Sequence, residues 1–447
     1  MLKKCACALL ACLLALLPSA LSESPAALIP IYLDGSAMLA DASGREIVPP
    51  GEYTDFYHLN VPDGDAAAAY LAAGKEVDGN TLFGLMDTQG NLLSPVEYDT
   101  LLYEGGMIIC GKDGLYGVLG LDGEVLIEPE YTSLIPNGEG GLLALKTDWW
   151  DDQPDGVYAI DASGAESATG VKTLFLFDSF FSEGKLALLS AENNRYGYVD
   201  AQGQWAVRPQ FAFAMEFNGG LAVASISSGY GVIDVNGNWV MTPRYSLIWR
   251  TDDLIVAMEG NEACTVFDAA TLENKFRVTG SNVFAYEDGE RLVITDDEAT
   301  RLYDSDGTLL FTGSATATIS SDEGGMFVVS DGPWGSPSAR LYAADGTPQG
   351  EARQSIFPLG SVNGAAYFGY LEMEATPSDT ETDAWDYDPY SIHYGLLNAS
   401  GEAVTEAIFT NLQFGSDSCF LANTEDAGGL IDVNGEWIAK WEYEAAE

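Results

Sequence analysis

Hydrophobic and polar positions along this chain alternate in short runs. An apolar segment of three to seven residues leads into Asp-x-x-Gly or Asp-x-Asn-Gly, and a second short apolar run follows. Tyr230-Gly231-Val232-Ile233-Asp234 leads to Gly237, Pro243 and Tyr245. Tyr116-Gly117-Val118-Leu119 leads to Gly123, Pro129 and Tyr131, and Tyr196-Gly197-Tyr198-Val199-Asp200 to Gly203, Pro209 and Phe211. The same order runs from Phe83-Gly84 through Gly90 and Pro95 to Tyr98, from Tyr394-Gly395 through Gly401 to Phe409, and from Leu430-Ile431-Asp432 through Gly435 to Tyr443. Turn glycine and following aromatic are 8 residues apart in all six copies, and 9 apart in the looser copy from Gly44 to Tyr53. Weaker turns at Gly164, Gly307 and Gly346 and a degenerate one near Thr271 bring the number to eleven, with a usual period of 33 to 41 residues.

Runs this short, closed by Gly with Asp or Asn, predict β-hairpins: Gly supplies the positive φ of the turn and the acidic or amide side chain caps its own backbone. The Pro predicts the end of the strand after the turn, at an edge or bend, because it has no N–H for a ladder. A further strand is predicted at the recurring Gly-Leu-Ala-Val element, as in Gly220-Leu221-Ala222-Val223-Ala224 and Gly141-Leu142-Leu143-Ala144-Leu145. The repeated aromatic is then placed to pack between units. One helix is expected as an exception, over Asp65 to Ala73, where an Asp N-cap precedes an alanine run.

The fold class predicted is all-β: a repeat array of about eleven three- to four-stranded units, β-propeller-like because a unit of this length is the size of a blade. The alternative is an open β-solenoid of hairpins. Eleven exceeds the usual four to eight blades, so the array either forms one wide or incomplete ring or divides into two rings near residues 260–264. Ala27 to Tyr32 matches the Gly-Leu-Ala-Val strand, and the chain stops soon after Tyr443, where that strand would come next. The two ends are therefore complementary and able to close a ring.

The Tyr-Gly start, the Asp-x-x-Gly turn, the Pro-x-Tyr and the Gly-Leu-Ala-Val strand together resemble the bacterial WG repeat, with Tyr or Phe where that family usually has Trp. The resemblance implies an exported or envelope β-repeat protein without an assigned activity.

Residues 1–22 read as a signal peptide: Lys3 and Lys4, an apolar run from Cys5 to Leu17, Pro18, then Ala20-Leu21-Ser22 before Glu23. Residues 23–447 then form the repeat array, outside the cell or in its envelope. A lipoprotein anchored at Cys12, within Leu9-Leu10-Ala11-Cys12, is the alternative. No later segment is apolar enough to predict a membrane span.

Composition narrows the function further. Lys+Arg 19 against Asp+Glu 68 gives a net charge of -49, which argues against nucleic acid and anionic membranes as partners. With two histidines, His58 and His393, a multi-His metal or catalytic centre is excluded, and no nucleophile–base set, phosphate loop or cofactor motif is present. Cys110, Cys264 and Cys419, the three cysteines after the leader, read as buried free thiols. Asp234, Asp304 and Asp432 open calcium-loop-like stretches that lack the distal Glu, and read as turn residues.

Two irregular stretches carry aromatics with no packing duty in the repeat. One holds Trp149 and Trp150 among acids; the other, Thr376 to Tyr390, holds Trp385, Tyr387 and Tyr390. They are the candidate ligand-binding residues. The expected function is an exported non-enzymatic scaffold binding a protein or glycan partner through these loops. The alternative is a secreted, carboxylate-dependent glycoside hydrolase of propeller type.

Overall fold

The computed structural model describes residues 28–33, 36–59, 70–104, 106–146, 156–161, 163–173, 181–288, 291–321, 324–332, 338–373 and 392–443. They form eleven antiparallel sheets of three or four strands, each built from a continuous stretch of chain. We number them as blades 1 to 11: residues 29–53, 55–98, 100–131, 133–172, 173–211, 213–245, 247–279, 284–314, 318–353, 355–409 and 411–442.

In blade 6 the strands are Phe213–Ala214, Leu221–Ile226, Gly229–Asp234 and Trp239–Tyr245, in that spatial order. The Gly-Leu-Ala-Val element is the second strand, the Tyr-Gly segment the third, and the Asp-x-x-Gly turn joins third to fourth. Second and third strands are buried almost throughout, as in Leu254–Glu259 and Ala427–Ile431, because a neighbouring blade covers each face. Fourth strands alternate exposed and half-buried, as in Trp239–Tyr245, and end on the buried aromatic. First strands of neighbouring blades approach each other, which puts them on the inner side of the ring and the fourth strands at the rim.

The eleven blades share eleven buried cores, one between each blade and the next. The eleventh joins the ends: Ile31, Met38 and Ala40 of blade 1 pack with Cys419, Leu421 and Leu430 of blade 11. Trp441 Nε1 donates to Glu46 Oε1 at 2.8 Å across the same joint, and the turn at Gly44 rests on Ala439. The array is therefore an eleven-bladed β-propeller. Residues 247–279, where the sequence left room for a division, share one core with blade 6 and another with blade 8.

Two expectations are corrected. Pro129, Pro209 and Pro243 lie inside the fourth strands Val125–Tyr131, Trp205–Phe211 and Trp239–Tyr245 instead of ending them. Each marks an irregular register against the third strand, the bulge an outer strand tolerates where no further partner needs the missing N–H. Of the expected helix, Tyr70 to Ala73 belong to the strand Tyr70–Val77, where both faces are covered and small alanines fit; the rest lies outside the described residues.

The bulge explains the glycine of the Tyr-Gly motif. A Cβ on Gly231 would meet the Met241 carbonyl oxygen and Pro243 N at 2.9 Å; Gly117 and Gly197 face the same atoms of Ile127 and Pro129, and of Val207 and Pro209. The turn glycines have a second duty. Gly237, at φ +81°, sits where a Cβ would lie 2.6 Å from Val207 Cγ1 on the fourth strand of the preceding blade. Gly237→Val combines a disfavoured backbone with that clash and should cost about 1–3 kcal/mol. A melting temperature equal to the parent's would contradict this account of the turn.

Candidate functional site

Trp149, Trp150, Trp385, Tyr387 and Tyr390 lie outside the described residues. The repeated aromatics are committed to packing: Tyr98, Tyr131, Phe211 and Tyr245 are buried between blades. So are the thiols. Cys110, Cys264 and Cys419 are fully buried, and burial pushes Cys110 up to about 11 and Cys264 up to about 12. Thiolate is the reacting form, so native protein should react negligibly with Ellman's reagent and these three thiols should appear on denaturation. Fast native labelling would show that a core opens.

The acidic turns are occupied by their own backbone. Asp234 Oδ1 accepts the N–H groups of Asn236 and Asn238, both at 2.9 Å, and Asp432 Oδ1 does the same for Asn434 and Glu436. For Asp234, bonds from Asn238 lead in holding the carboxyl below its usual range. His58 ends the strand Asp55–His58 in blade 2, and His393 lies in Ile392–Asn398 in blade 10. Among the described residues, no three potential metal ligands of the His, Cys, Asp or Glu type come together.

Distinctive chemistry arises at one end of the ring, where each fourth strand hands over to the next first strand beside the hairpin joining second and third strands. Around blades 1 to 4 an ion pair closes this junction. Glu52, Glu97 and Glu130, each just before the repeated aromatic, pair with Lys75, Lys112 and Lys146 of the next blade at 3.3, 2.8 and 3.6 Å. Lys75 and Lys146 lie over the rings of Tyr53 and Tyr131, at 4.4 and 4.8 Å from their centroids. Lys146 also holds Glu166 at 2.7 Å. Exposed pairs of this kind are worth little, so Lys146→Met should cost about 1 kcal/mol or less.

Between blades 6 and 7 the signs are exchanged. Arg244 stands where the glutamates stand, and Glu259 where the lysines stand. Arg277 draws Glu259 away through two bonds of 3.1 and 2.8 Å, and Thr265 adds a third at 2.7 Å. Those bonds, Arg277 first, hold the Glu259 carboxyl below its usual range. Arg244 folds onto Tyr245, its Nη2 donating to the phenol oxygen at 2.9 Å. The junction therefore stays open as a groove of about 540 Å³, lined by Ser227, Ser228, Arg244, Tyr245, Ser246 and Glu259. A second groove of about 540 Å³, one blade on, is lined by Asn261, Glu262, Arg277, Thr279, Ser281 and Asn282.

Beside these grooves the inner edge changes character. The first-strand residue paired to the end of the second strand is polar at Asp55, Thr100, Ser133 and Thr173, and again at Thr318, Ser355 and Asn411. In the three consecutive blades 6, 7 and 8 it is Phe213, Leu247 and Phe284. Their exposures are 38%, 42% and 57%. Sequence reasoning missed this arc: a first strand can be as short as Phe213–Ala214, and its register shows only once the second strand is placed.

The geometry defines a β-propeller with a sector, blades 6 to 8, in which Phe213, Leu247 and Phe284 occupy a first-strand position that is polar in seven other blades. Residues 83–116, 196–227 and 230–260 match the WG containing repeat, two of these segments falling in or beside that sector. These three segments of the chain are thus WG containing repeats. No curated protein matches it. Among solved structures it is similar to a eukaryotic initiation factor, with a TM-score of 0.43, 14% identity and coverage of 64% of this chain and 85% of that one. BamB from Moraxella catarrhalis gives 0.31 and 12%, with 73% and 93% covered. The dihydro-heme d1 dehydrogenase NirN gives 0.32 and 14%, with 67% and 76% covered. At these scores the likeness carries no functional argument. Among the described residues no helix is long and apolar enough to cross a membrane.

Proposed function

We propose that the protein is an exported, non-enzymatic scaffold that binds a protein or glycan partner through residues departing from its repeat. The observation that carries this reading is the commitment of the repeated aromatics. Tyr98, Tyr131, Phe211 and Tyr245 are spent on holding blades together, so recognition falls to what breaks the pattern. Rigid repeat arrays offer broad surfaces, and inserted loops supply specificity. The acidic excess favours cationic or hydroxyl-rich partners over polyanions.

Two experiments test it. N-terminal sequencing of exported protein should find a start near Glu23; a lipid-blocked Cys12 would replace signal-peptide cleavage by lipid anchoring, and full-length protein kept in the cytoplasm would refute export. A glycan and peptidoglycan array, with affinity capture of proteins, should give a ligand whose binding weakens on Trp149→Ala with Trp150→Ala or on deletion of Asp379 to Asp388. Stability should stay within about 0.5 kcal/mol of the parent, as for most surface changes. Turnover of a bound glycan would favour a hydrolase instead.

A further inference from the structure

We propose that blades 6 to 8 form a binding site for a neutral, hydroxyl-rich glycan chain, with Phe213, Leu247 and Phe284 as its apolar platform and the two neighbouring grooves taking its hydroxyls. The site rests on the binding-scaffold reading above, but not on the inserted loops.

The first support is the break in the ring's own rule. Seven other blades put a polar side chain at this first-strand position, and three consecutive blades put Phe, Leu and Phe there. The strands are tied side by side: Met215 packs into the core containing Ile248, and Trp249 into the core containing Val283 and Ala285. The apolar residues therefore follow one another along the inner edge, one per blade. Exposed aromatic surface costs free energy in water unless something covers it.

The second support is the chemistry of the grooves. Ser246 precedes Leu247, and Ser281 and Asn282 lie just before Phe284, so each groove opens beside a platform residue. Among the described residues, Ser227, Glu262, Thr279 and Ser281 have no side-chain hydrogen-bond partner. Hydroxyls that donate and accept, one carboxylate that accepts, and Arg244 as a donor suit a ligand that does both everywhere. Arg277 and Glu259 neutralise each other, which leaves Arg244 in one groove and Glu262 in the other, single charges of opposite sign that cancel across the site and select neither anion nor cation. A polyanion would also meet a chain of net charge -49. A sugar ring presents an apolar C–H face for the platform and hydroxyls at its edge for the grooves. A linear chain of such rings matches sites that repeat blade by blade.

The test is affinity electrophoresis of the full chain in gels holding laminarin, glucomannan, hydroxyethylcellulose or soluble starch. Polygalacturonate serves as the polyanion, and a lysine-rich amphipathic peptide is titrated separately by fluorescence anisotropy. At least one neutral polysaccharide should retard the parent. The triple variant Phe213→Thr, Leu247→Thr, Phe284→Thr should weaken that retardation at least tenfold. It should fold, because Thr100 and Thr318 occupy the same position in their own blades. Thr279→Ala with Ser281→Ala should weaken it several-fold, and deletion of Asp379 to Asp388 should leave it unchanged. If the triple variant fails to fold, Phe284→Thr alone and the groove pair decide. No retardation by any neutral polysaccharide, or retardation unaffected by these variants, overturns the proposal. Peptide binding that depends on the same three residues also overturns it, while leaving the scaffold reading intact. Glycan binding lost only on removing the insert refutes this site and supports the loops.

Discussion

Gly231→Ala is expected to lower the unfolding midpoint, at a cost of about 2–3 kcal/mol. The added carbon would meet the Met241 carbonyl oxygen, Pro243 N at 2.9 Å and the Trp239 ring at 2.9 Å. Two of these are backbone atoms of the bulged fourth strand, which cannot rotate away as a side-chain tip can. Relief would require lifting the strand that carries Tyr245 into the core with blade 7, so strain at one residue would be felt at the inter-blade contact. Denaturant unfolding of Gly231→Ala beside Gly79→Ala makes the comparison. Gly79 has no atom within 4 Å of its ideal Cβ, so its effect comes from backbone conformation alone, at φ +84°. If Gly231→Ala is the milder of the two, close approach is not the reason for the Tyr-Gly motif.

Leu430→Ala is expected to cost about 2–5 kcal/mol, the range for deleting a fully buried leucine. Leu430 is fully buried, and its core exists only because blade 1 returns to blade 11. In an open array that face of the last blade would meet solvent, and truncating the side chain would change little. The substitution therefore measures closure, and an effect below about 1 kcal/mol, typical of surface positions, would argue for an open solenoid. Leu302→Ala, fully buried between blades 8 and 9, serves as the internal reference; a closed ring predicts similar losses at both joints.

Much of the fold is written locally and was legible as such. Gly44, Gly123, Gly237 and Gly435 each mark a hairpin because Asp and Gly set the turn from within four residues. The constant step from that glycine to the aromatic placed Tyr98, Tyr131, Phe211 and Tyr245 at buried contacts before any packing was known. Pro243 was misread as a strand end because its missing N–H is decisive only when a further strand needs it, and the fourth strand faces the rim. Tyr70 to Ala73 were misread as helix because intrinsic propensity favours it, whereas cover on both faces, supplied by other blades, decided for a strand.

What the sequence determined by itself is the unit: its turn, its buried aromatic, its Tyr-Gly start, and its repetition eleven times. The tertiary structure decided how the units meet. Ring closure depends on contacts such as Trp441 with Glu46, 395 residues apart, and no local pattern encodes them. The exchange of Arg244 and Glu259 for the Glu–Lys pairs of other blades has meaning only once residues from two blades face each other. The arc of Phe213, Leu247 and Phe284 became visible for the same reason: strands this short carry little periodicity, and their neighbours across the ring, not along the chain, define which positions are equivalent.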